Sequence, residues 1–163
     1  MLKRRWILTG EGSGGAGKPG RCIGIDLGLR RVGVSISDEM GFMAHPLCVI
    51  PYSGQDDLVL RLRELAASHV AACFVVGVPR NMDGTAGLGA RRSVRFARKL
   101  ETETGLPVAL CDERLTTSQA EKEMIALGKS RKRRRMSIDE AAAVLILENY
   151  LRQVKLAGQR EGQ

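Results

Sequence analysis

Acidic residues stand at three places where a carboxylate is costly or faces solvent at an element end. Asp26 lies between Ile25 and Leu27 in the apolar run Cys22-Ile-Gly-Ile-Asp-Leu27, and a carboxylate in an apolar strand needs a partner or a metal. Asp112 and Glu113 follow Val108-Ala-Leu-Cys111, at the strand end where ligands of open α/β sheets gather. Asp139 opens the final helical pattern just behind a basic run. Such carboxylates suit a hard divalent cation such as Mg2+ or Mn2+, which takes oxygen ligands and completes its shell with phosphate or water. Two such ions about 4 Å apart would support an in-line displacement at phosphorus. Asp139 also has a purely structural explanation. Ser137-x-x-Glu140 reads as a capping box, which would put Asp139 in the first helical turn, where the helix dipole favours an acid.

Each acid has basic residues close by in sequence. Arg30 and Arg31 follow Asp26, Arg80 and Asn81 follow the central apolar run, Arg114 follows Glu113, and Arg131, Lys132, Arg133, Arg134 and Arg135 precede Asp139. Guanidinium groups hold phosphates through paired hydrogen bonds, so this set is the expected nucleic-acid contact surface. The five-residue basic run also reads as a solvated loop. The bulk charge agrees with a polyanionic partner: 26 Lys and Arg against 18 Asp and Glu give a formal charge of +8. His45 beside Pro46 and His69 at a helix end suit no catalytic role, and no Gly-x-Ser-x-Gly elbow is present, which speaks against a serine hydrolase.

The elements that must position these groups follow from apolar periodicity. Residues 22–27, 32–37 and 43–50 read as three strands, the first two joined as a hairpin. Residues 56–69 form an amphipathic helix, 73–78 a doubly buried strand, 90–104 a helix with a basic outer face, and 107–111 another buried strand. A helix over 117–127 stopped by Gly128, a basic loop over 131–135 and a last helix over 137–154 complete the pattern. A strand meander followed by crossovers makes a mixed α/β sheet with helices on both faces. Residues 1–20 read as a flexible glycine-rich leader, 21–154 as the single domain and 155–163 as a flexible tail. Gly12 to Lys18 has Walker A spacing, but Pro19 stands where Ser or Thr is needed and a strand pattern follows instead of a helix. The cysteines Cys22, Cys48, Cys73 and Cys111 sit in apolar runs without CxxC spacing. They read as small buried hydrophobes in a reducing compartment, with no disulfide framework or zinc site. The apolar run at the start is too short for a signal peptide and no segment is long enough to span a bilayer, so a cytoplasmic protein without membrane attachment is expected.

Taken together, Gly24-Ile-Asp-Leu-Gly28, Arg31-Val-Gly-Val-Ser-Ile-Ser-Asp38, Val76-Gly-Val-Pro-Arg-Asn-Met-Asp-Gly84, Asp112-Glu-Arg-Leu-Thr-Thr117 and Ser137-Ile-Asp139 with Ala141-Ala-Ala143 resemble the YqgF/RuvX family in order and spacing over about residues 21–152. The resemblance implies a ribonuclease H-like five-stranded mixed sheet, order 3-2-1-4-5, related to Holliday-junction resolvases. It further implies that Asp26, Glu113 and Asp139 are the catalytic metal-binding carboxylates, which overrides the capping explanation of Asp139. The implied activity is endonucleolytic processing of the 5′ end of pre-16S ribosomal RNA, with structured precursor RNA as partner and a monomer or weak homodimer as the working form. Three alternatives remain at this point. One is resolution of four-way DNA junctions, because phosphate contacts carry no sugar identity. Another is a nucleic-acid-binding module that does not cut. The last is a sugar-kinase or actin-like ATPase, suggested by Ile25-Asp-Leu-Gly28, although such enzymes need a second lobe.

Overall fold

The computed structural model describes residues 20–81, 83–112 and 131–161. Five strands form one sheet: β1 (Arg21–Leu27), β2 (Arg31–Ser37), β3 (Ala44–Pro51), β4 (Ala71–Val78) and β5 (Val108–Asp112). Their spatial order is β3-β2-β1-β4-β5. The pairs β1–β2 and β2–β3 are antiparallel, and β1–β4 and β4–β5 are parallel. The order and mixed character agree with expectation. The strand ends differ from it by one or two residues, because pairing rather than hydropathy ends a strand: Pro51 still stands opposite Arg31.

Two helices, α1 (Gln55–His69) and α2 (Leu88–Thr104), cover one face, and α3 (Arg131–Glu161) covers the other. Strand alternation explains the division. Ile23 and Ile25 of β1 pack with Leu58 and Leu62 of α1 and with Phe96 and Leu100 of α2. Cys22, one residue out of step, joins Val75, Ala109 and Cys111 against Ile146 and Leu147 of α3. The core is aliphatic, with Phe74 and Phe96 its largest fully buried side chains.

The expected basic loop over 131–135 is instead the opening of α3, which begins at Arg131 rather than at 137 and runs to Glu161 rather than ending at Val154. Arginine and lysine are good helix formers, and no Gly or Pro interrupts the chain between Arg131 and Gly158, so a run of cations extends the helix. The correction bears on Asp139. Ser137 stands inside the helix and cannot be its N-cap, so the dipole explanation of Asp139 no longer applies. The leader over 1–19, the Walker-like Gly12–Lys18 and the expected helix over 117–127 lie outside the described residues. Among those residues no helix is long and apolar enough to cross a membrane.

Candidate functional site

Asp26 and Asp139 come together across the interface between β1, β2 and α3. Asp26 is the penultimate residue of β1 and stands opposite Gly33 of β2. A Cβ placed on Gly33 would lie 2.1 Å from the carbonyl oxygen of Asp139, so a side chain there would hold α3 off the sheet. Gly24 acts in the same way two residues earlier in β1: its Cβ would meet Ser35 Oγ at 2.4 Å and Leu147 Cβ at 2.8 Å. The buried Ser35 hydroxyl donates to the carbonyl oxygen of Ala143 at 2.7 Å, fixing the helix where the glycines admit it. Residues from opposite ends of the domain are thereby held side by side.

The electrostatics of the pair are those of carboxylates held together against their preference. Burial raises the Asp26 carboxyl from its ordinary 3.8 to about 6, and the neighbouring charge of Asp139 adds to the effect. Burial also raises Asp139, with Arg31 pulling the other way. Arg31 Nε lies 3.0 Å from Asp139 Oδ2, but Oδ2 is closed off from solvent and accepts no hydrogen bond among the described residues. Arg31 meets that oxygen as an ion pair without a well-aligned hydrogen bond, and two desolvated carboxylates beside a single guanidinium still suit an oxygen-seeking cation.

The remaining expected residues fall in different surroundings. Arg30 is exposed in the β1–β2 turn, its carbonyl accepting from the Tyr52 amide at 2.9 Å. Arg80 Nε lies 3.5 Å from Oδ2 of Asp112, the last residue of β5. Asn81 donates through Nδ2 to Thr85 Oγ1 at 2.9 Å and so shapes the loop after β4 rather than extending from it. Glu113 and Arg114 lie outside the described residues, as do the side chains of Arg131, Lys132, Arg133, Arg134 and Arg135 in the first turns of α3. The three parallel strands β1, β4 and β5 bring their carboxyl ends to one edge of the sheet, with Asp112 opposite Val78, and Glu113 is the next residue in the chain. No group of three or more metal-ligating side chains occurs among the described residues.

Arg92 was not among the expected residues. From α2 its guanidinium donates to the carbonyl oxygens of Leu27 at 3.3 Å and Gly28 at 2.9 Å, and it lies over the Tyr52 ring at 4.8 Å. It braces the turn that follows Asp26. The available signal was its spacing: Arg92 stands four residues before the buried Phe96, a cation on the inward stripe of an amphipathic helix.

Residues 20–153 match the RuvX family, described as Holliday junction resolvase. A Geobacillus sp. (strain WCH70) protein named as a candidate pre-16S rRNA nuclease is 44% identical over 133 residues, covering 80% of this chain and 96% of that protein. A Bacillus subtilis (strain 168) protein of the same name is 45% identical over 133 residues, with the same coverage of 80% and 96%. Among solved structures, T. thermophilus RuvC in complex with Holliday junction substrate aligns over 88% of this chain and 97% of its own, with TM-score 0.51 and 18% identity. That likeness is one of fold, the ribonuclease H-like sheet expected from the sequence.

Proposed function

The chain belongs to the RuvX family of nucleases, and from that premise we propose that it is a metal-dependent endonuclease acting on the 5′ end of pre-16S ribosomal RNA. The observation that carries the proposal is the convergence of Asp26 and Asp139 in a partly dry site, with one carboxylate oxygen left without a hydrogen bond. Such a pair is unfavourable by itself and becomes favourable around a cation. The names carried by the Geobacillus and Bacillus relatives support the ribosomal RNA substrate.

In this reading Asp26, Asp139 and Glu113 would hold Mg2+ or Mn2+. One such ion, or a pair of them, would make a bound water acidic and offset charge on the departing oxygen. The chain's own groups do the rest. Burial raises the Asp139 carboxyl, and the Arg31 guanidinium beside it opposes that rise. The bracing of Leu27 and Gly28 by Arg92 fixes the direction of β1 at its end, which keeps Asp26 at a constant distance from α3. Arg30, with Arg80, Arg114 and the basic start of α3, provides cations for the phosphates on either side of the cut.

Resolution of four-way DNA junctions is the second reading, favoured by the description of the family. The deciding experiment compares a pre-16S RNA fragment with a four-way DNA junction under Mg2+ or Mn2+, using wild type and Asp26→Asn. Metal-dependent cleavage of the RNA, reduced at least about a thousandfold in the variant, is expected from loss of a metal ligand. Equal cleavage by the variant would remove Asp26 from the mechanism, and cleavage of the junction alone would replace the substrate.

A further inference from the structure

At the end of the sheet away from the carboxylates, two thiols meet. Cys22 of β1 and Cys73 of β4 are register partners on neighbouring parallel strands. Adjacent strands run about 4.8 Å apart, inside the Cα separation of about 4.4–6.8 Å that a disulfide spans. Both side chains point to the α3 face, where they pack within the same apolar cluster as Tyr150. Their sulfur atoms are in direct contact, as a bond between these two positions requires. The other two cysteines have no such arrangement in the sheet: Cys48 stands opposite Val34, and Cys111 opposite Gly77.

We infer that Cys22 and Cys73 form a two-electron dithiol–disulfide site that is oxidised by low-molecular-weight disulfides. The thiolate of one cysteine attacks one sulfur of R–S–S–R, forming a mixed disulfide and releasing R–S⁻. The other thiol then loses its proton and attacks the sulfur of the first, forming the Cys22–Cys73 bond and releasing the second R–S⁻. Both released thiolates take up protons, and the two electrons lost by the protein thiols end on the two reagent sulfurs. Cys73 is half-buried rather than sealed, and it stands near the start of β4, where a small reagent has a short path to the pair. Cys22 lies about 13 Å along β1 from Asp26, at about 3.3 Å per residue, so the site is separate from the carboxylates.

The test uses the full chain, fully reduced and then exposed to oxidised glutathione without other reductant. The expected product has lost two hydrogens and yields a linked Cys22–Cys73 peptide, while Cys48 and Cys111 remain open to alkylation. Dithiothreitol should restore the starting mass. Cys73→Ser and Cys22→Ser should each stop at a persistent glutathione adduct on the cysteine that remains, since the second thiol that would displace glutathione is gone. The inference is overturned by a lasting adduct on Cys22 or Cys73 in the wild type, by linkage through Cys48 or Cys111, or by no reaction in protein that circular dichroism shows to be folded. None of these readouts depends on nuclease activity.

Discussion

The chemistry of single residues is clearest at Asp26. Its carboxyl is raised from 3.8 to about 6, chiefly by burial. At about 1.4 kcal/mol per pH unit, keeping it ionised in the folded chain costs on the order of 3 kcal/mol. Its folded pKa exceeds its unfolded one, so the penalty is absent below about pH 4, grows as pH rises towards 6, and is complete above it. In the presence of a chelator, Asp26→Asn should therefore melt above wild type at pH 8 and close to it at pH 4.5. Calorimetry at the two pH values checks this. Mg2+ or Mn2+ should raise the wild-type midpoint at pH 8 and leave that of the variant nearly unchanged. A variant less stable than wild type at pH 8 without metal would show that the carboxylate is already satisfied by the protein.

Among the elements, the contact between β2 and α3 decides the geometry of the site. Gly33 lies opposite Asp26 on one side and under the backbone of Asp139 on the other. An added methyl meets a carbonyl oxygen, which cannot swing aside as a flexible side chain can. Gly33→Ala should destabilise by about 1–3 kcal/mol, the usual cost of overpacking. It should also displace Asp139, so that divalent cations no longer raise the melting temperature. Urea denaturation with and without Mg2+ separates the two effects. A variant of wild-type stability that still responds to Mg2+ would mean that α3 tolerates a wider separation than its packing indicates.

For the molecule as a whole, the relevant quantity is charge. A formal +8 is a property of the whole chain, and it acts on polyanions through counterion release. If binding neutralises three to five phosphates, affinity should fall roughly 40- to 500-fold between about 50 and 200 mM salt. Fluorescence anisotropy with labelled RNA and the Asp26→Asn variant gives that slope without cleavage. A flat salt dependence would indicate that the basic residues are engaged within the protein, as Arg31 and Arg80 already are with Asp139 and Asp112.

The sheet and the singular position of Asp26 could be read from the residues alone. Apolar runs of strand length and the switch to helical spacing are local properties, legible wherever one face of an element is buried, and an acid between Ile25 and Leu27 stands out against such a run. The start of α3 was misjudged on the same local grounds. A run of five cations looks like a solvated loop and Ser137-x-x-Glu140 looks like a cap, whereas the helix is held by the packing of Ile146 and Leu147 on the sheet. Arg92 could be read only as a cation on the inward stripe of its helix, not as a brace, and Cys22 facing Cys73 could not be read at all, because each contact joins residues whose only relation is the register of strands and the approach of helices. The proximity of Asp26 to Asp139 was available from the family resemblance, but its physical reason was not. That reason is the missing side chain at Gly33, which lets a helix backbone come close enough to the sheet for two desolvated carboxylates to share one place.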